Sequence, residues 1–177
     1  MNHMRAIAAV TAAAVFLGGA LAFGASGDRR YTRDRITFTV PAGWHLTLGR
    51  INGVVDPVTV FTATTFRVPS LRTSSGLCSR ALRRGWRRDG AYVQLTEERD
   101  GASRKRMLRR VPQRPQHFRL NAKGGGGLCT PPDSGEIAFQ ARGRAFYVFY
   151  GFGPNASPAT RAAAAGLLDA MTIAPRR

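Results

Sequence analysis

The chain has 177 residues, enough for one domain with a sizeable core, and shows no internal repeat and no second long apolar run. Its 27 Lys and Arg against ten Asp and Glu give a net charge of +17, and 25 of the 27 basic residues are Arg. A field of that sign argues against cationic partners and points to anionic surfaces and polymers.

The opening stretch, "MNHMRAIAAVTAAAVFLGGALAFGASGDRR", is not expected to belong to the fold. A short head carrying Arg5 precedes an uncharged run over residues 6–26, and small residues at 20–22 and 24–26 offer cleavage sites. That is the layout of a secretory signal. The competing reading is an uncleaved anchor, since residues 6–23 approach the length of a membrane span. The chain therefore divides into 1–26, signal peptide or N-terminal membrane anchor, and 27–177, a single exported α+β domain. It is expected to be secreted or held at the outer face of the cytoplasmic membrane.

In chain order, "RITFTVPAGWHLTLGRI" alternates around Ile36, Phe38 and Val40 and breaks at Pro41-Ala42-Gly43. It predicts strand, turn, strand, with Trp44 packing at the turn. "VTVFTATTFRV", residues 58–68, is β-branched and aromatic and predicts a third strand. Residues 78–88, "CSRALRRGWRR", change period. At 100° per residue Cys78, Ala81, Leu82, Gly85 and Trp86 share one arc, while Arg80, Arg83, Arg84, Arg87 and Arg88 fill most of the other side. An amphipathic helix is predicted, ended by Asp89-Gly90.

"AYVQLTEE", 91–98, predicts a strand and "DGAS" a turn; "RKRMLRRV", 104–111, reads as an edge strand with Arg stems along apolar surface. "HFRLN" is expected to pair briefly. "GEIAFQARGRAFYVFYGF", 135–152, predicts a hairpin turning at Arg142-Gly143, its second arm central because it is apolar on both faces. Ser157 as N-cap and Pro158 at the first helical position start a last helix, and Thr172-Ile173 is expected to add a short closing strand. The sum is α+β: an antiparallel β-sheet packed with two main helices, a single domain and one disulfide.

The disulfide rests on Cys78 and Cys129, two cysteines in an exported chain with one possible intramolecular pairing. Closing the 50-residue loop between them would contribute about 4 kcal/mol in the chain-entropy model. The glycine run "GGGGLCTPP" before Cys129 is not a phosphate loop. Its Lys123 precedes the glycines, and Pro131-Pro132 forbid the helix such a loop requires.

"FTVPAGW" followed by strands, and the closing aromatic strand, Ala-rich helix and short strand, resemble the Mog1/PsbP-like α+β fold over about residues 35–174. They are also similar to small exported proteins of unknown function from high-GC bacteria. The resemblance implies architecture only, since that fold carries no common chemistry.

Chemistry-bearing constellations are sparse. "GFGPNA", 151–156, matches a dinucleotide fingerprint, but Asp169 falls inside the following helix rather than on a second strand. His45 and His117 are the only histidines after residue 26, and no nucleophile elbow or zinc-protease motif accompanies them. Glu97 and Glu98 point to opposite faces of a strand, unsuited to shared acid–base work. No catalytic residue, metal or cofactor is expected.

What remains is the interval 80–119, with 13 basic and four acidic residues, net +9. Arg80, Arg83, Arg84, Arg87 and Arg88 form the candidate anion-binding set, directed at an anionic membrane surface or wall polymer and not at specific nucleic acid. The expected role is a non-catalytic binding or accessory module of the cell envelope. The alternatives are a secreted enzyme using His45 or His117, and a component of a larger envelope protein assembly.

Overall fold

The computed structural model describes residues 27–49, 56–68, 88–121 and 133–176. The helix expected over 78–88, both cysteines and the glycine run fall outside these residues, except that Arg88 lies in an exposed turn.

The chain enters the fold earlier than its sequence suggests. Arg29–Arg33 form strand β1, which pairs antiparallel with β2 (Ile36–Val40) from Arg29 opposite Val40 to Arg33 opposite Ile36. The assignment of Arg29 and Arg30 to a segment outside the fold is thus corrected. A strand reading RRYTR has little apolar alternation, but as a sheet edge it tolerates the charge. The β1–β2 turn places Asp34 and Arg35 at positive φ, 49° and 64°, the pattern of a type I′ hairpin. Asp-Arg is not the Asn-Gly or Asp-Gly that usually announces that turn.

The Pro41–Gly43 turn forms as expected, closed by Trp44 N–H donating to the Pro41 carbonyl at 3.1 Å, with Gly43 at φ 79°. Its flanking strands, however, enter different sheets. β2 lies in a three-stranded sheet, order β1-β2-β8 with β8 Thr172–Ile173, whereas β3 (His45–Leu48) begins a five-stranded one. That larger sheet runs β3-β4-β5-β7-β6, with β4 Val58–Thr64, β5 Ala91–Glu98, β6 Asp133–Ala141 and β7 Arg144–Phe152. All pairings between strands are antiparallel. The single sheet expected from sequence is therefore two.

The hairpin at Arg142-Gly143 is as expected, with φ 53° and 71°, and β7 is central between β5 and β6. The last helix, Pro158–Asp169, starts on Ser157, whose hydroxyl accepts the Thr160 N–H at 3.1 Å. Thr172–Ile173, here β8, returns to pair with Ile36 and Thr37.

The stretch expected as an edge strand is a helix. Gly101–Leu108, here α1, is capped by Asp100, whose carboxylate accepts the Ser103 N–H at 2.8 Å. "DGAS", expected as a turn, is thus the cap and first turn of this helix. Arg, Lys, Met and Leu all favour helix, and no β-branched residue appears before Val111. The cap and those propensities outweighed a weak strand alternation. "HFRLN" forms no strand. Instead Pro112 and Arg114 bond Gln140 at the β6 edge, and Phe118 and Leu120 turn into the core. The Pro158–Asp169 helix is α2 below.

The core lies between the two sheets and α2. Ile36, Phe38 and Val40 of β2 meet Phe61, Val93, Leu95, Phe146 and Val148 of the large sheet and Leu167 and Leu168 of α2. Phe38 stacks on Phe61 with ring centroids 4.2 Å apart. Each such buried side chain contributes about 1.5–3 kcal/mol.

Candidate anion-docking face

All ten acidic residues of the chain lie among the described residues, so the distribution of negative charge is visible in full. Most of it is occupied. Glu97, 1 % exposed, receives Arg144 on both oxygens (2.8 and 2.9 Å), Arg176 at 2.9 Å and Arg99 at 3.3 Å. Burial alone would raise its carboxyl, but the Arg144 hydrogen bonds and the charges of Arg144, Arg176 and Arg99 hold it below the ordinary value. Asp34 binds Arg99 at 2.9 Å and Asp133 binds Arg161. Asp28 accepts the Ala42 N–H at 3.0 Å and Asp100 caps α1.

At the far end of α2, Asp169 accepts the Phe118 N–H at 2.7 Å and faces His117 Nδ1 at 3.3 Å. Arg114 donates to the last carbonyls of the helix, Leu168 at 2.7 Å and Asp169 at 2.9 Å. These contacts fasten the 114–118 segment to the helix C-terminus, where positive charge is favoured. The His117 side chain is 76 % exposed, and its partner Asp169 is already engaged in a backbone bond. His45 lies on β3, an edge strand of the other sheet region. The two histidines are not part of one constellation.

Glu97 and Glu98 do face opposite ways. While Glu97 binds Arg144, the Glu98 carboxyl hydrogen-bonds that of Asp56, which also accepts the Arg99 N–H at 3.0 Å and the Asp100 N–H at 2.9 Å. Burial, then the bond and charge of Asp56, push Glu98 up to about 7. The same shared bond comes first in holding Asp56 below its ordinary value. Two carboxyls in hydrogen-bond contact share one proton.

With the acids so engaged, α1 stands apart. Residues 101–121 hold seven basic residues and no acid. Around α1 and its C-terminal turn, Lys105, Arg109, Arg106 and Arg110 occupy an arc of roughly 140° at 100° per residue, all exposed. Met107, on the other side, is buried and anchors the helix. None of these four cations forms an ion pair among the described residues. Lys105–Arg109 and Arg106–Arg110 are like-charge i,i+4 pairs, each destabilising by about 0.2–0.5 kcal/mol, partly offset by their place near the helix C-terminus. The helix is held in place by Asp100, itself tied to Asp56. The result is a mounted, unneutralised cationic surface that sequence reading missed because it took the segment for a strand. The signal was present as the Asp100 cap before a run of helix formers.

Of the anion-binding set read from sequence, Arg88 is in the exposed turn before β5; Arg80, Arg83, Arg84 and Arg87 lie outside the described residues. No group of His, Cys, Asp and Glu suited to a metal ion occurs among the described residues, and no described helix is long and apolar enough to cross a membrane. Comparison with protein family models, curated proteins and solved structures finds no match to this chain.

Proposed function

We propose that this chain is an exported, non-catalytic binding or accessory module of the cell envelope that docks on an anionic lipid surface through a basic face. The observation that carries the reading is the acid-free α1 segment, where four exposed cations form no ion pair among the described residues. The signal-like or anchor-like pattern of residues 1–26 supports a location at or beyond a membrane, which favours lipid over other anionic partners. Arg80, Arg83, Arg84, Arg87 and Arg88 form a second candidate set in the proposal, and an architecture related to Mog1/PsbP-like proteins is supported by α2 followed by the closing strand β8.

Co-sedimentation with phosphatidylglycerol vesicles is expected to exceed that with phosphatidylcholine vesicles and to fade as salt rises. Replacing Lys105, Arg106, Arg109 and Arg110 together by glutamine should weaken binding at least about tenfold, since each basic residue near such a surface is worth about 1 kcal/mol. Equal sedimentation with both vesicle types at low salt would overturn the reading. Loss on neutralising Arg80, Arg84 and Arg87 but not the α1 set would move the docking face to residues 78–88. Binding to purified anionic wall polymer but not to vesicles would reassign the partner.

The proposal includes a Cys78–Cys129 disulfide, supported by the even cysteine count and the export reading. The intact mass of the exported protein is expected to fall two hydrogens short of the reduced chain. Two thiols free to alkylation without reductant would show the pairing to be wrong.

A further inference from the structure

A second cationic feature lies on different elements from α1. Residues opposite one another in an antiparallel pair share a face, so Arg29, Tyr31 and Arg33 of β1 lie on the side of Val40, Phe38 and Ile36, the core side of the small sheet. On β3, Leu46 and Leu48 oppose Ala63 and Phe61, the core side of the large sheet. Both strands are sheet edges. Arginines of β1 reach the residues that flank β3: Arg29 Nη2 donates to the Trp44 carbonyl at 2.8 Å, and a Cβ placed on Gly49 would lie 3.4 Å from the Arg33 guanidinium.

Where these edges meet, the space between the sheets opens into a cleft of about 540 Å³, within the range of small-molecule sites. Its inward row on β1 is not wholly apolar, as a core row would be, but carries arginine. Arg29 and Arg67 supply nitrogen donors, Tyr31, Leu46 and Leu48 supply the apolar wall, and His45 and Thr47 of β3 also border the cleft. Tyr31 stacks on Phe38 and Phe38 on Phe61, so the wall is continuous with the core. Leu48 is 47 % exposed at the opening.

No acid lines the cleft, and because every acid of the chain is described, none is hidden elsewhere. Arg67 has no ion-pair partner among the described residues. Arg29 gives one amino group to Trp44, which aims its guanidinium, and its other donors have no hydrogen-bond partner among the described residues.

We propose that this cleft binds a small amphiphilic anion, a carboxylate or phosphate monoester carrying an aliphatic chain. The head group sits at Arg29 and Arg67, and the chain lies against Tyr31, Leu46 and Leu48. The site does not depend on α1 or on the docking role proposed for it.

Calorimetric titration of the purified full chain with dodecanoate, dodecyl phosphate and dodecyltrimethylammonium, each below its micellar concentration, tests the site. Saturable binding of one or both anions is expected, at least about tenfold tighter than the cation; which anion binds assigns the head group. Arg67→Gln should weaken anion binding about tenfold, the loss of one charge-assisted contact. Leu48→Ser should weaken it by a similar factor through lost apolar contact. Lys105→Gln with Arg106→Gln on α1 should leave it unchanged. Equal affinity for anion and cation, no saturable binding of any of the three, or anion binding indifferent to both Arg67→Gln and Leu48→Ser would overturn the proposal.

Discussion

Replacing Arg144 by alanine is expected to destabilise the fold by about 3 kcal/mol or more, the usual consequence of stranding a buried charge. Arg144 is 2 % exposed and fills both oxygens of Glu97, which is 1 % exposed. Its Nη1 donates to the Ala174 carbonyl at 3.1 Å, just beyond β8, and its guanidinium lies 5.2 Å from the Phe146 ring. Arg176 adds a second C-terminal contact to Glu97. Arg99 joins Glu97 to Asp34 in the β1–β2 turn. One carboxylate thus helps to hold the small sheet and the C-terminal segment against the large sheet.

Urea unfolding should show a much lower midpoint for Arg144→Ala. The double variant Glu97→Leu/Arg144→Met should lie closer to the parent than Arg144→Ala does, because replacing both partners leaves no bare charge. An Arg144→Ala protein within 1 kcal/mol of the parent would show that Arg99 and Arg176 alone satisfy Glu97.

The second large effect is on pH. Glu98 is 8 % exposed; burial, and then the bond and charge of Asp56 with which it shares a proton, raise it from the ordinary 4.5 to about 7. Between those values the folded chain keeps a proton that the unfolded chain gives up. Its contribution to stability is therefore full below about pH 4.5 and is lost as pH rises through about 7. Asp56, held low, acts in the opposite direction only in acid, below its ordinary 3.8. Glu136, raised by burial, has the same sign as Glu98.

Glu98→Gln keeps the hydrogen-bonding shape of the protonated acid without the charge. Near pH 5 the variant and parent should melt together; at pH 8 the variant should melt higher, by about 5 °C. Melting curves that stay parallel from pH 5 to 8 would rule out Glu98 as the source. Charge on this pair also reaches the basic face, since Asp56 and Glu98 both accept the backbone N–H of Asp100, the cap of α1. The other groups nearby are Arg99, Asp100 and Tyr147, the last held above its ordinary value first by burial and then by Glu98 and Glu136.

Much of the scaffold was legible because it rests on local chemistry. β2, β4, β5 and the β6–β7 hairpin follow from β-branched and aromatic alternation and from Arg142-Gly143 at the turn. α2 follows from Ser157-Pro158, and the placement of β8 from its apolar pair after the helix. β1 was not legible, because an edge strand of RRYTR lacks the alternation that marks a half-buried strand, and Asp34-Arg35 does not look like a hairpin turn. α1 was mistaken for a strand, since a run of arginines satisfies either period poorly and only the Asp100 cap favours helix.

The candidate face followed the same division. Composition alone required that 27 basic residues outnumber ten acids, and therefore that some basic surface stay unneutralised. Which arginines would be left could not be read from the chain, because 25 of them are chemically alike and their partners lie far off in sequence. Glu97 meets Arg144 at a separation of 47 residues and Arg176 at 79. Asp56 meets the Arg99 and Asp100 amides at 43 and 44. Alternation, caps and turns act over a few residues and settle the elements. The division into two sheets, the engagement of the acids and the exposure of Lys105, Arg106, Arg109 and Arg110 depend on contacts that exist only once distant strands have packed.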